Sequence, residues 1–289
     1  MNRMLLCWLL LSFCFIPPLL HSQNLNATSE LQLGIAAYDK AKYKDATHHL
    51  ECAIALDPES REAHLYLART YDVRYVESPE CGEEACAAND RLGLRAMQEF
   101  EKVLEFDPSN TEALNTLGWR HYRSAKSEEA DRYYRRTLEV DPNDFEALYT
   151  LGVIQWQRSY RVRQEKRAEL KLRRNKALIN LPSCTEIRIE NLARIEDGMA
   201  LLQRASELVK SNDVEAYLSL LYQERADIQC GDQTSHDQDM RTSVEWADRA
   251  CKTRRNPERM VINCMGTSSR CPPPAPPPPE AGQPGACPN

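Results

Sequence analysis

Between residues 111 and 144 the apolar side chains return every three or four positions, twice over. Leu114, Leu117, Gly118 and His121 fall on one face of a first helix, and Ala130, Tyr134, Thr137 and Leu138 on one face of a second. Such spacing predicts two amphipathic helices. Gly118 and Ala130 are small where the two must approach closely, and Pro142 stops the second helix and presets the turn after it. One hairpin of this width cannot bury its own stripe. It needs neighbours of the same kind on either side.

The neighbours are legible from punctuation. Asp57-Pro58, Asp107-Pro108 and Asp141-Pro142 each end a helical pattern and precede another; the last two lie 34 residues apart and the first two 50. One unit length therefore recurs, and one copy carries an insertion of 16 residues.

The unit at 111–144 resembles the tetratricopeptide repeat family. Its pattern of Leu-Gly, aromatic, Ala, aromatic, Ala and Pro is largely met, with His121 and Thr137 as departures. Residues 27–60 match through Leu33-Gly34, Ala46, Leu50, Ala53 and Pro58, with Ala37 where an aromatic is usual. Residues 61–110 match at both ends, through Leu67-Ala68, Tyr71, Ala96, Phe100 and Pro108, with the insertion between. A fourth unit, 145–212, opens with FEALYTLG, and its second helix is expected only at about Gly198 to Val209. A degenerate fifth, 213–253, is expected to pair VEAYLSLLYQERADI with a helix around Met240 to Thr253. The resemblance implies an all-α fold, a right-handed α-solenoid of helix-turn-helix repeats over 23–253.

It also implies a use. The first helices of stacked repeats line a concave groove, and the family's groove positions carried onto this chain select Ile35, Tyr38, Leu65, Arg69, Asp72, Asn115, Trp119, Tyr122, Arg123, Tyr149, Val153 and Trp156. Aromatic rings with Arg among them suit a protein or peptide segment, because rings give contact area at little entropic cost and Arg pairs with carboxylates. The same rings could instead pack against the next repeat. Family members that clamp the carboxylate end of chaperone tails use a Lys and an Asn in this groove. Leu31 with Ile35, and Asn115 with Trp119, stand at those places here, which argues against that partner.

Charge and cysteines narrow the setting. Arg3, the apolar run Met4 to Ile16, the Pro17-Pro18 break and the small Ser22 read as a secretory signal peptide over 1–22, cut after Ser22, which places the mature protein in the periplasm or outside the cell. Loss of Arg3 takes the formal charge from −6 to −7, an acidic balance that disfavours general nucleic-acid binding. No later stretch is long and apolar enough to span a membrane. Nine cysteines follow the leader, an odd number that leaves at least one thiol unpaired in a monomer. Cys81-x4-Cys86, in an acidic, Gly-containing loop over 76–95, suits a redox or metal site, or else a local disulfide or two idle thiols; with no second C-x-x-C pair or His set, metal is not expected, and the short separation makes the disulfide the expected state.

Two further segments carry signals. Arg158, Arg161, Arg163, Lys166, Arg167, Lys171, Arg173, Arg174 and Lys176 make 158–176 strongly basic, a continuation of the fourth repeat's first helix as an arm that reads either as a solvated face or as a contact for an anionic polymer or lipid. Residues 254–289 hold PPPAPPPP at 272–279, a composition that cannot build a core and favours the extended polyproline conformer of a spacer or docking ligand. No nucleophile with a base and no ligand cluster stands at recognisable spacing. The expected protein is a non-catalytic, cofactor-free, exported scaffold that binds a partner segment in its groove. Its alternative is a cell-envelope adaptor using the basic arm, and an enzyme or redox protein ranks below both.

Overall fold

The computed structural model describes residues 18–75, 83–172 and 178–255, with side chains over 26–75, 87–172 and 178–252. These contain ten helices and no strand: α1 (Pro18–Asp39), α2 (Tyr43–Leu56), α3 (Arg61–Arg74), α4 (Glu83–Phe106), α5 (Thr111–Arg123), α6 (Ser127–Val140), α7 (Phe145–Glu169), α8 (Cys184–Leu208), α9 (Asn212–Asp227) and α10 (Gln233–Arg255). Consecutive helices pack as hairpins, and the second helix of one hairpin packs on the first of the next within each unit. The fold is an all-α solenoid of helical repeats. Its chain divides into two compact units, residues 1–108 and 109–289.

The Asp-Pro turns work by one local mechanism. The amides of Asp57 and Asp141 each donate to the carbonyl four residues back, at 2.8 Å, closing the helix. Three residues later Ser60, Asn110 and Asp144 accept from the amides of Ala63, Ala113 and Ala147 and so begin the next helix. Asp-Pro-x-Ser/Asn/Asp is thus a stop and a start in four residues.

The small residue of each first helix marks where its partner crosses. A Cβ on Gly34 would lie 2.6 Å from Leu50 Cγ, one on Gly118 3.1 Å from the Tyr134 ring, and one on Gly152 2.4 Å from Leu202 Cγ. Leu50 and Tyr134 follow their glycines by 16 residues, whereas Leu202 follows Gly152 by 50, so the fourth repeat's insertion is one further repeat length. Gly152→Ala is expected to cost about 1–2 kcal/mol, the overpacking penalty less the helix preference of Ala. A urea midpoint equal to wild type would mean that Leu202 repacks freely.

In the first unit, His64 is buried on α3, donating Nδ1–H to Glu99 Oε2 at 2.6 Å and Nε2–H to the Pro58 carbonyl at 3.1 Å. Two acceptors require two protons on the ring. The Glu99 hydrogen bond raises the pKa above the ordinary 6.5, against burial and against Lys102. This contribution to stability is therefore complete below the unfolded-state value and fades as pH rises through the folded one. The first unit's thermal midpoint should fall across that rise in the native chain and stay level in His64→Gln; equal slopes would show that the ring carries no charge in the fold.

Several boundaries differ from expectation. The acidic insertion is helical from Glu83 onward, since EEACAANDRLGL has no Pro and good helix formers. The fourth repeat's second helix begins at Cys184, fourteen residues before the expected Gly198, and the fifth repeat's at Gln233 rather than Met240. Ser22, the expected cleavage point, falls inside α1. Cys81, the Cys86 side chain and the Pro-rich segment lie outside the described residues, and so does any bond between those two cysteines.

Candidate partner-binding faces

Each unit carries its own aromatic group on the first helices of its repeats. In the first, Tyr38 of α1 meets Tyr66 of α3 edge to face, with ring centroids 5.6 Å apart, and also Tyr43 at 5.9 Å. Arg69 lies over the Tyr66 ring at 5.0 Å. Ile35 and Leu65 are half-buried there, and Asp72 is buried. Tyr66 escaped the sequence reading because it sits one position beyond the groove place taken by Leu65.

In the second unit the band is longer. On α5, Trp119 and Tyr122 lie 6.0 Å apart, and the exposed Arg123 stacks on the Trp119 ring at 5.5 Å. Gln157 of α7 donates to the Tyr122 hydroxyl at 2.9 Å, and burial raises the pKa of that phenol. Further along α7, Trp156 touches Tyr160 at 5.4 Å and Tyr217 of α9 at 5.2 Å. Burial pushes the Tyr217 phenol far up, and the nearby Tyr122 adds to the push. The Trp119–Tyr122 pair of α5 and the Trp156–Tyr160–Tyr217 group of α7 and α9 are thus joined through Gln157.

Of the expected groove residues on α5 and α7, four do not line an open groove. Tyr149, Val153 and Trp156 are buried, at 6%, 1% and 3% exposure, because α9 packs over them and Tyr217 wedges against both aromatic rings. The long apolar face VIQW of α7 is a helix–helix interface. Asn115 is structural as well: its Nδ2 donates to Asp144 Oδ2 at 2.9 Å and its Oδ1 accepts from Thr137 Oγ1 at 2.7 Å, which ties α5, α6 and α7 together. Thr137 and His121, departures from the family pattern, are both accounted for. Thr137 supplies that bond, and His121 stacks on Tyr133 at 5.4 Å. Trp119, Tyr122 and Tyr160 remain half-buried.

The basic arm is corrected too. α7 does continue past a normal repeat helix, but it ends at Glu169, where Leu170 turns and Lys171 takes a φ of 53°. Its charges are folded inward onto acids. Arg163 makes a bidentate pair with Glu224 of α9 at 2.6 and 2.7 Å and a third bond to Asp227 at 2.8 Å. Burial opposes the Arg163 charge, yet Glu224 and Asp227 outweigh it and hold its pKa above the usual range. Arg158 reaches Asp131 and Glu128, Lys166 bridges Glu169 and Glu186, and Arg167 is buried. Residues 173–177 lie outside the described residues. Among the described residues, Arg163 and Lys166 of this stretch pair across to α9 and α8 and Arg158 across to α6, while Arg161 and Lys171 stay exposed.

A disulfide closes the same end of the molecule. Cys184, at the start of α8, is bonded to Cys230, in the α9–α10 turn, 46 positions further on, with Cα atoms 5.5 Å apart. Cys251 is disulfide-bonded as well, and Cys52 is the free thiol among the described residues. Among those residues no group of His, Cys, Asp and Glu could hold a metal ion, and no helix is long and apolar enough to cross a membrane.

Comparison with known proteins agrees with this geometry. A family model described as tetratricopeptide repeat matches residues 31–90 and 115–159. Among solved structures, YrrB, a tetratricopeptide repeat protein, superposes with a TM-score of 0.52 at 13% identity over 83% of this chain and 92% of its own. The MamA protein gives 0.50 at 13% identity, over 82% of this chain and 96% of its own. No curated protein matches the sequence. Folds of this kind serve as protein–protein interaction scaffolds. With the repeats, their caps and their close-approach glycines in place, residues 31–90 and 115–159 match the tetratricopeptide repeat, and the fold around them is that of tetratricopeptide repeat proteins.

Proposed function

We propose that the protein is a non-catalytic scaffold of the extracytoplasmic space, and that it holds an extended partner segment on the aromatic band of its second unit. The observation that carries this reading is the set Trp119, Tyr122 and Tyr160, three half-buried rings on the first helices α5 and α7, linked through Gln157 and with Arg123 stacked on Trp119. Half-buried aromatics on a rigid frame are the residues that dominate binding energy, since little entropy is lost when they are covered. Arg123 offers a partner carboxylate a bidentate donor. YrrB, which shares the fold, is described as having an unusual peptide-binding site, which is compatible with such a role. Export is supported by the leader and by the Cys184–Cys230 disulfide, a bond that persists in oxidising compartments.

The test is a peptide-display selection on the native chain, followed by affinity measurement on variants. Trp119→Ala with Tyr122→Ala should weaken the selected peptides by at least about thirtyfold, the value of one well-seated ring. Arg123→Glu should remove those with an acidic residue at one end. Peptides that bind all variants alike would place the binding face elsewhere.

A further inference from the structure

Asn26, Ala27 and Thr28 form the only Asn-x-Ser/Thr triplet in the sequence, and neither Ala27 nor the following Ser29 is a proline. A triplet this short acquires meaning from its placement. Along α1, Asn26, Ser29, Leu33 and Ala36 return every three or four positions, and all four side chains are exposed. The packed side of the same helix is Ala27, Gly34 and Ala37, where Leu50 of α2 crosses. Among the described residues no helix precedes α1, so the exposed stripe is the open end of the first unit.

Resting on the extracytoplasmic reading above, we propose that Asn26 is N-glycosylated and that its glycan covers the open end of the first unit. The acceptor is the Asn26 carboxamide, and the donor is an oligosaccharide carried on a membrane lipid diphosphate. Nδ2 forms a bond to the anomeric carbon of the first sugar, the bond from that carbon to the diphosphate oxygen breaks, and the lipid diphosphate leaves. One amide proton passes to solvent, and nothing is oxidised or reduced. The Thr28 hydroxyl serves as the positioning group, because an Asn side chain and a hydroxyl two residues on meet readily in a turn. In a finished helix they do not: at about 100° per residue, positions 26 and 28 point to nearly opposite sides of α1. Transfer therefore precedes the folding of α1, as the chain enters the compartment. What the folded protein must supply afterwards is room, and the exposed Asn26 supplies it.

The gain lies seven residues along the same line. Leu33 is 47% exposed, and two helical turns place it about 10 Å from Asn26 along the axis. A bulky, hydrophilic glycan over that stripe screens the leucine and gives the first repeat the polar outer face that the end of a solenoid needs for solubility. Tyr38, twelve residues on from Asn26, lies about a third of a turn away around α1, so the sugar leaves the Tyr38–Tyr66 contact clear. The Cys184–Cys230 disulfide is compatible with the same compartment.

The experiment takes the full chain from its natural host, releases N-linked glycans with an amidase in heavy-oxygen water, and maps the peptides by mass spectrometry. The amidase leaves an oxygen-labelled aspartate wherever an asparagine carried sugar. Label at position 26, with a single shift in gel mobility that is lost in Asn26→Gln and in Thr28→Ala and kept in Thr28→Ser, is the expected result. Removing the sugar should also raise the binding of an apolar fluorescent dye, and Leu33→Ser should cancel that rise; no rise would overturn the covering role. An exported chain with Asn26 unlabelled, or a mobility shift that persists in Asn26→Gln, would overturn the site while leaving export intact. A chain held in the cytoplasm with Met1 still in place would overturn both the site and the extracytoplasmic reading.

Discussion

Tyr149→Ala and Trp156→Ala should each cost about 3–5 kcal/mol of unfolding free energy, the penalty of removing a large ring from a closed core. Both rings are almost fully buried, and Tyr217 packs on each, at 6.1 and 5.2 Å between centroids. Neither leaves room for a ligand without moving α9. Trp119→Ala, by contrast, removes a half-buried ring whose contacts are Tyr122 and Arg123 on its own helix, and should lower stability by no more than about 1 kcal/mol. The urea midpoint of the second unit separates the two classes. A Tyr149→Ala protein as stable as wild type would mean that α9 does not cover α7.

Glu224→Ala should be as damaging by a different route. The carboxylate is 3% exposed and takes two of the three Arg163 bonds, so truncation leaves a guanidinium that is only 16% exposed with Asp227 as its main acid partner. Removing one partner from such a pair costs about 3–5 kcal/mol, whereas replacing both with apolar residues of similar volume is often neutral or stabilising. Arg163→Met combined with Glu224→Leu is therefore expected to recover most of what Glu224→Ala loses. If the double variant is less stable than the single one, the pair is an asset in its own right.

The Leu-Gly steps at 33–34, 117–118 and 151–152 and the three Asp-Pro turns made the repeats legible, because both features act locally. A glycine marks the crossing point and a proline marks the stop, whatever surrounds them. The inserted helices were harder. In α8, Ile187, Asn191, Ile195 and Leu202 face inward, but Asn191 is polar and Ile189 lies 80% exposed, so the stripe is blurred until the α7 contacts are known. Pairings over long sequence separation left no trace at all. Nothing near Arg163 points to Glu224, 61 residues away, and a row of Arg and Lys reads as solvated when its acids lie on other helices. The Cys184–Cys230 bond was hidden for the same reason, while the short Cys81-x4-Cys86 spacing drew attention to itself. In the groove, position alone placed Trp119 and Trp156 in one class. Packing of α9, which no local pattern encodes, divides them.

The central claim is that the half-buried band on α5 and α7 receives a partner segment. Site-specific photocrosslinking tests it most directly, with a photoreactive phenylalanine analogue placed at Trp119 in one protein and at Ile189, the 80% exposed residue on α8, in another, both expressed in the natural host. A discrete crosslinked product at position 119, mapping to one extended segment and absent at position 189, is the predicted result. Equal crosslinking at both positions, or a product at 189 alone, would contradict it.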